Sequence, residues 1–268
     1  LYIYIRAKGV TGFFKHDDRD NHSLANNSVL DIFHDNRGDA WIGTRGGLNL
    51  LAKSKQVFRN FSALPNDNHF LNCNIIYAFW IDDRQRIWVG TEDGGINIYD
   101  PAKGTYEYML AGPKGSNTIS QNCIKAFLDD GRGNLYIGTF WGGIDVLNLA
   151  TGRISHYKHS EDNPQSLSDN RVWALQKDRE GGIWVGTSAG VDRLDPATGS
   201  FRHYTELVQN KQVNWISIDS ENDIWIGAVD EVIIYDPNTE MVNRFSEHSR
   251  SFLEDSEKRY WIATLDNG

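Results

Sequence analysis

The chain has 268 residues, 27 basic and 36 acidic side chains for a formal charge of −9, and 40% hydrophobic residues. It is too apolar for disorder, too poor in cysteine (two) for a disulfide scaffold, too acidic to favour duplex nucleic acid, and has no apolar run long enough to span a bilayer. Nine tryptophans are the anomaly.

Residues 1–16 read as the tail of an earlier structural unit, because Gly9-Val10 echoes Gly190-Val191. No signal peptide precedes Leu1, so a targeting sequence is expected to be missing or removed, and Leu265-Asp266-Asn267-Gly268 reads as a cut rather than a natural terminus. Between them runs a repeat. Five tryptophans sit in one phrase, opening at Trp41, Trp88, Trp184, Trp225 and Trp261, and Tyr136 opens a sixth copy. Successive anchors are 47, 48, 48, 41 and 36 residues apart. Six positions before each stands an aspartate: Asp35, Asp82, Asp130, Asp178, Asp219 and Asp255. Ile32, Phe79, Phe127, Leu175, Ile216 and Phe252 lie three residues before those aspartates, and Asn27, Asn74, Asn122 and Asn170 open four of the copies.

Each copy reads as four short strands rich in aromatic and β-branched residues and punctuated by Gly, Asn and Asp. The first strand ends at the aspartate, which is expected to accept backbone N–H groups in a turn where Gly38, Gly133, Gly181 or Asn222 supplies positive φ. The anchor phrase is the second strand. A glycine loop leads to a third, and Asp-Pro turns such as Asp100-Pro101 and Asp195-Pro196 lead to a fourth. Four strands per repeat of this length imply an all-β β-propeller rather than a solenoid. The chain is expected to be a single propeller over 1–268, with a partial blade at 1–16, full blades at about 27–62, 74–109, 122–158, 170–205 and 211–246, and a partial blade at 249–268. An intact ring of about seven blades is expected.

The phrase Asp178-x-x-Gly181-Gly182-Ile183-Trp184-Val185-Gly186-Thr187, with Gly94-Gly95-Ile96-Asn97 after its own anchor, resembles the two-component regulator propeller repeat. The segment Asp162–Asn170 is similar to that family's linkers, and the resemblance covers nearly the whole chain. Members of this kind are periplasmic sensor regions of hybrid two-component systems in gut Bacteroidetes. There, two propellers precede an immunoglobulin-like module, a membrane helix, a histidine kinase and a DNA-binding regulator, and oligosaccharides from glycan breakdown are sensed. The resemblance implies part of a periplasmic sensor, without enzymatic activity or cofactor. Its partners would be an oligosaccharide, a second propeller and an immunoglobulin-like module of the same receptor, and a second copy in a homodimer; no nucleic acid is bound by this region.

Ligands of propellers usually sit on the face made by loops between second and third strands. Those loops carry Arg45, Glu92-Asp93, Phe140-Trp141, Ser188-Ala189 and Val229-Asp230-Glu231. Phe140 and Trp141 stand out, because flat rings suit the apolar face of a sugar. Arg45, Glu92, Asp93, Asp230 and Glu231 are candidates to fix hydroxyls or a uronate charge, against the plainer reading of solvated loop charge. The plainer reading of Phe140 and Trp141 is a cap on a neighbouring blade. Trp173 and Trp215, in first strands, hold places of varied chemistry and are read as blade packing, with a pocket rim as the alternative. The six aspartates and the anchors Trp41, Trp88, Tyr136, Trp184, Trp225 and Trp261 are read as structural: a catalytic pair needs asymmetry, and a turn device needs repetition. The histidines are read as scattered surface residues, no metal set is apparent, and pairing of Cys73 with Cys123 is left open. Two rivals remain: a propeller glycan lyase or hydrolase, and a purely structural or dimerising propeller.

Overall fold

The computed structural model describes residues 2–5, 9–35, 37–53, 58–63, 70–255 and 257–264. Leu1 and the expected cut at Leu265–Gly268 lie outside them. The chain opens with a hairpin, β1 (Tyr2–Ile5) and β2 (Gly9–Phe13). Five four-stranded antiparallel sheets follow: β3 (Val29–His34), β4 (Ala40–Thr44), β5 (Gly47–Leu51), β6 (Phe58–Phe61); β7 (Ile76–Ile81), β8 (Ile87–Thr91), β9 (Ile96–Asp100), β10 (Thr105–Met109); β11 (Ile124–Asp129), β12 (Asn134–Thr139), β13 (Gly143–Asn148), β14 (Ile154–Tyr157); β15 (Val172–Lys177), β16 (Ile183–Thr187), β17 (Gly190–Asp195), β18 (Ser200–His203); and β19 (Val213–Ile218), β20 (Ile224–Ala228), β21 (Val232–Tyr235), β22 (Val242–Phe245). A two-stranded sheet of β23 (Ser249–Glu254) and β24 (Tyr260–Thr264) ends the described chain. Strands pair in sequence order throughout, so this is an all-β propeller fold with four-stranded blades. The described residues hold five such blades and two hairpins, short of the expected seven. A single helical turn, α1 (Thr205–Val208), precedes β19; it is too short for periodicity to register. The chain packs as two compact units, Leu1–Pro113 with Asn122–Ile124, and Lys114–Gln121 with Lys125–Gly268.

The repeated aspartate does more than hold its turn. Asp82 Oδ1 accepts the backbone N–H groups of Arg84 and Arg86, both at 2.9 Å, while Oδ2 accepts the Trp88 indole N–H at 3.1 Å and Arg86 Nε at 2.7 Å. The same indole bond joins Trp41 to Asp35 (3.2 Å), Trp184 to Asp178 (3.2 Å), Trp225 to Asp219 (2.8 Å) and Trp261 to Asp255 (3.0 Å). Where tyrosine replaces the indole, the Asn134 side-chain amide donates to Asp130 Oδ2 at 2.8 Å instead. Burial alone would raise the pKa of Asp35, Asp82 and Asp130, but these hydrogen bonds outweigh it and hold all three below the ordinary carboxylate value. In Asp255 the Trp261 bond is the largest influence, and the pKa falls to about 2.

Gly38, Gly133, Gly181 and Asn222 adopt left-handed φ of 81°, 93°, 90° and 78° in these turns. The anchor rings then wedge between blades within each unit: Trp41 lies 6.1 Å from Tyr99, and Trp184 6.0 Å from Tyr235. The glycine two residues after the anchor permits the approach, since a Cβ on Gly186 would stand 2.8 Å from Val213 Cγ1. Trp261 keeps its aspartate but is 46% exposed in its two-stranded sheet.

The linkers between blades are held by two further devices. The opening asparagines cap the end of the preceding fourth strand: Asn170 Oδ1 accepts His159 N at 2.8 Å and Asn27 Oδ1 accepts His16 N at 2.7 Å. Linker 16–27 repeats several bonds of linker 159–170, including ring contacts of His16 Nδ1 to Leu24 O and His159 Nδ1 to Leu167 O. This corrects the echo of Gly190 in Gly9. Because β2 feeds such a linker, as β14 does, β2 holds the fourth-strand place and β1 the third.

A buried polar residue on each of four third strands receives a linker N–H: Asn49 from Ala25, Asn97 from Asn72, Asp145 from Ser120 and Asp192 from Ser168. Asp145 and Asp192 also bind His156 and His203, at 2.7 and 2.6 Å. These two histidines are therefore clasps, which their scattered spacing in sequence concealed. The cysteines Cys73 and Cys123 are both thiols.

Candidate functional site

First strands carry a recurrent bulge. Pairing slips between Val29 and Asp31, Ile76 and Ala78, Val172 and Ala174, and Val213 and Trp215. The residue inside the slip is Leu30, Tyr77, Trp173 or Asn214, and Lys125 holds the same place in the sequence of its copy. A bulge inserts one residue and re-aims its side chain. In three copies this place meets the first residue of the loop between second and third strands of the same blade. Tyr77 Oη donates to Glu92 Oε1 at 3.3 Å, Trp173 Nε1 donates to Ser188 Oγ at 2.9 Å, and the Lys125 ammonium lies 5.4 Å from the Phe140 ring centre.

In the second unit these residues meet. Phe140 stands edge-on to Trp173 at 5.1 Å and to Trp141 at 5.4 Å. The Lys125 ammonium is also 5.0 Å from the Trp173 ring centre, and the Arg171 guanidinium lies 5.0 Å over Trp141. Arg171 is held by Asp169, which accepts its Nε at 2.8 Å and also its Nη2. Burial would raise the Asp169 pKa, but the bonds from Arg171 outweigh it and hold the carboxyl below its usual range. A backbone bridge ties Arg171 to Phe140.

Trp141 itself is 62% exposed. Its φ is +82°, and it is the one aromatic among the described non-glycine residues in the left-handed region. For an L residue that conformation costs about 1–3 kcal/mol. A large apolar ring is thus presented to solvent on strained backbone and braced by a cation.

The other expected site residues are placed elsewhere. Asp230 and Glu231 form ion pairs with Lys211 at 2.8 and 3.1 Å, and Glu231 a further one with Arg244 at 3.3 Å. The Lys211 hydrogen bond is what lowers the Asp230 pKa. Arg45, Glu92 and Asp93 belong to the first unit, where Glu92 is committed to Tyr77 and both Arg45 and Asp93 are exposed. Trp215 is 8% exposed, donates to Ser249 Oγ at 3.0 Å and stacks on Phe252, a packing role. Trp173, read alongside it as packing, instead joins the cluster. Lys125 and Arg171 were missed; the signal available was the varied chemistry of the place shared by Leu30, Tyr77, Lys125, Trp173 and Asn214.

Four-stranded meandering blades, wedged by anchor rings and bearing side chains on their connecting loops, define a β-propeller with an aromatic and cationic loop cluster. The family model of the two-component regulator propeller matches two stretches of the chain, residues 23–46 and 166–189. Among solved structures, the chain is similar to an extracellular domain ascribed to a hybrid two-component system of B. thetaiotaomicron, with TM-score 0.79 and 23% identity, over 90% of this chain and 33% of that one. A second such domain from the same organism gives TM-score 0.74 and 20% identity, over 98% of this chain and 43% of that one. The chain therefore spans well under half of either. Virginiamycin B lyase of Staphylococcus aureus matches with TM-score 0.66 and 14% identity, over 88% of this chain and 77% of that one. At these identities the likeness is one of fold. No curated protein matches the sequence.

Proposed function

We propose that this chain is a ligand-sensing propeller from the extracytoplasmic part of a hybrid two-component receptor, and that it binds glycan-derived oligosaccharides through Phe140, Trp141 and Trp173. The observation that carries the reading is the exposed, backbone-strained Trp141 braced by Arg171 beside two further rings. A planar ring offered to solvent at a loop tip suits the apolar face of a pyranose, and neighbouring polar groups fix its hydroxyls. The chain has no role in catalysis on this reading. In the receptor it would adjoin further blades of a ring of about seven, a second propeller and an immunoglobulin-like module, and act in a homodimer. Ligand that favours one arrangement of these parts would bias the kinase by its difference in affinity between arrangements.

The test is calorimetry with an oligosaccharide panel on the wild type and Trp141→Ala. Loss of one stacking ring should weaken binding about tenfold or more, since about 1.4 kcal/mol corresponds to tenfold. Unchanged affinity in Trp141→Ala overturns the assignment. Cleaved or eliminated products in the same incubations would favour the lyase or hydrolase alternative, and dimer formation with no saccharide affinity the structural one.

A further inference from the structure

We infer that the outer edge of β22 is a docking site for an extended peptide segment of another polypeptide, which takes the place that a linker fills in other blades. The site is separate from the ring cluster and does not depend on the saccharide reading.

In three other blades the linker that precedes the blade covers the outer edge of its fourth strand. The Phe58 N–H donates to His22 O at 3.4 Å, the Phe201 N–H to Gln165 O at 2.9 Å, and the Ile154 N–H to Asn117 Oδ1 at 2.8 Å. Asn117 Nδ2 returns a bond to Gly152 O at 2.8 Å. Phe58, Phe201 and Ile154 are accordingly 2%, 5% and 9% exposed. A constant spacing makes room for this cover. Thirteen residues separate Phe58 from Leu71, Tyr106 from Ile119 and Ile154 from Leu167, and the second member of each pair is a buried plug of the linker.

Before the fifth blade the spacing falls to seven, from Phe201 to Val208. Val208 still serves as the buried plug, but the linker upstream of it is six residues short. The helical turn α1 replaces part of the cover, with Leu207 O and Glu206 O accepting Arg244 Nη1 and Nη2 at 2.7 and 3.4 Å. The other end of β22 stays bare. Val242 stands opposite Tyr235 as Phe201 stands opposite Leu194, so its N–H points away from β21 in the same way. That N–H has no linker acceptor among the described residues, and Val242 is 37% exposed.

Beside it lies a groove of about 470 Å³ lined by Arg202, Tyr204, Glu206, Tyr235, Glu240 and Val242. Two carboxylates against one guanidinium give its walls no single sign, so recognition falls on the main chain. The occupant offers a carbonyl to the Val242 N–H, either from its backbone, as His22 and Gln165 do, or from an asparagine side chain, as Asn117 does. This is strand addition to an open sheet edge. A four-residue strand buries too little area for a stable dimer of whole chains, and suits a short segment instead.

The probe is a synthetic peptide of residues Ser160–Ser166, which contains the carbonyl that β18 accepts as its cover. It is titrated into the whole chain by calorimetry, with amide hydrogen exchange followed at Val242. Wild type is compared with Val242→Pro, which removes the outward donor and spares the ladder. A second variant carries an extra copy of His159–Pro164 between Thr205 and Glu206, which restores the spacing of thirteen and fills the groove from within. Melting temperatures confirm that both fold. Slower exchange at Val242 with peptide, affinity at least about tenfold weaker in Val242→Pro, and no binding to the insertion variant support the inference. Absence of binding to the wild type at millimolar peptide overturns it. Binding that leaves exchange at Val242 unchanged, or that survives in the insertion variant, overturns the assignment to this edge. If Val242→Pro does not fold, exchange at Val242 and the insertion variant decide by the same outcomes.

Discussion

Replacing Asp82 by alanine tests whether the anchor tryptophans are hydrogen-bonded pairs or only space-filling rings. The substitution removes the acceptor of two backbone N–H groups, of Arg86 Nε and of the Trp88 indole. Trp88 is 5% exposed, so its indole N–H is left in the interior, at about 1–3 kcal/mol. The turn N–H groups are nearer water and lose about 0.5–1.5 kcal/mol each. Arg86 can swing toward Glu107, already 3.2 Å from its Nη1, and adds little. The total is about 2–6 kcal/mol, a large share of the 5–15 kcal/mol typical of a folded domain. The assay is urea unfolding of Asp82→Ala, Trp88→Phe and the double variant, followed by circular dichroism. Phenylalanine has no N–H to orphan, so the double variant should be more stable than the summed losses by about 1–2 kcal/mol. Strict additivity, or a loss below about 1 kcal/mol for Asp82→Ala, would refute the pairing.

Trp141→Gly should stabilise the chain by about 1 kcal/mol and raise its melting temperature by a few degrees, because glycine accepts φ of +82° without strain; a lower melting temperature counts against strain at the loop tip. Asp31, where three other copies carry Ala78, Ala126 and Ala174, has its pKa pushed up by burial to about 6, against bonds from the Ile32 and Phe79 N–H groups that lower it. Its charged form is therefore disfavoured in the folded state, and the stability lost between pH 4 and pH 6 should be regained by Asp31→Ala, about 1–2 kcal/mol at pH 7 and little at pH 4. No difference between the two pH values would exclude that account. His203 faces acceptors on both nitrogens, Asp192 Oδ1 at 2.6 Å and Pro164 O at 2.9 Å, an arrangement that favours the protonated ring. Burial lowers its pKa, but these partners outweigh it and raise the value above 6.5. The advantage of wild type over His203→Gln should then be full below pH 6.5 and shrink as pH rises through the raised pKa; an advantage that does not fall on the alkaline side of pH 6.5 would contradict the charged clasp.

The blades were legible before any coordinates because their instructions are local. An aspartate, a residue able to adopt left-handed φ and an aromatic six positions after the aspartate specify a hairpin, and six copies in register leave little room for another fold. The indole-to-aspartate bond was within reach of the same spacing, but a constant spacing alone does not say which way a side chain points. The candidate site was half legible. Phe140 and Trp141 stood out as exceptions within a repeat, whereas Trp173 and Trp215 looked alike in a strand pattern. They stand one place apart on equally bulged strands: Trp173 lies inside the slip and faces the loop cluster, whereas Trp215 lies just after it, pairs with Gly227 and faces the core. Likewise, Asp230 and Glu231 carried the charge expected of a site, and only the fold showed that charge already neutralised by Lys211 and Arg244. What the sequence determined by itself is the repeating blade, because turn chemistry and strand period act over a few residues. Which side chains share a face, and which charges are already spent on one another, was decided by tertiary structure, because those depend on register slips and on partners tens of residues away.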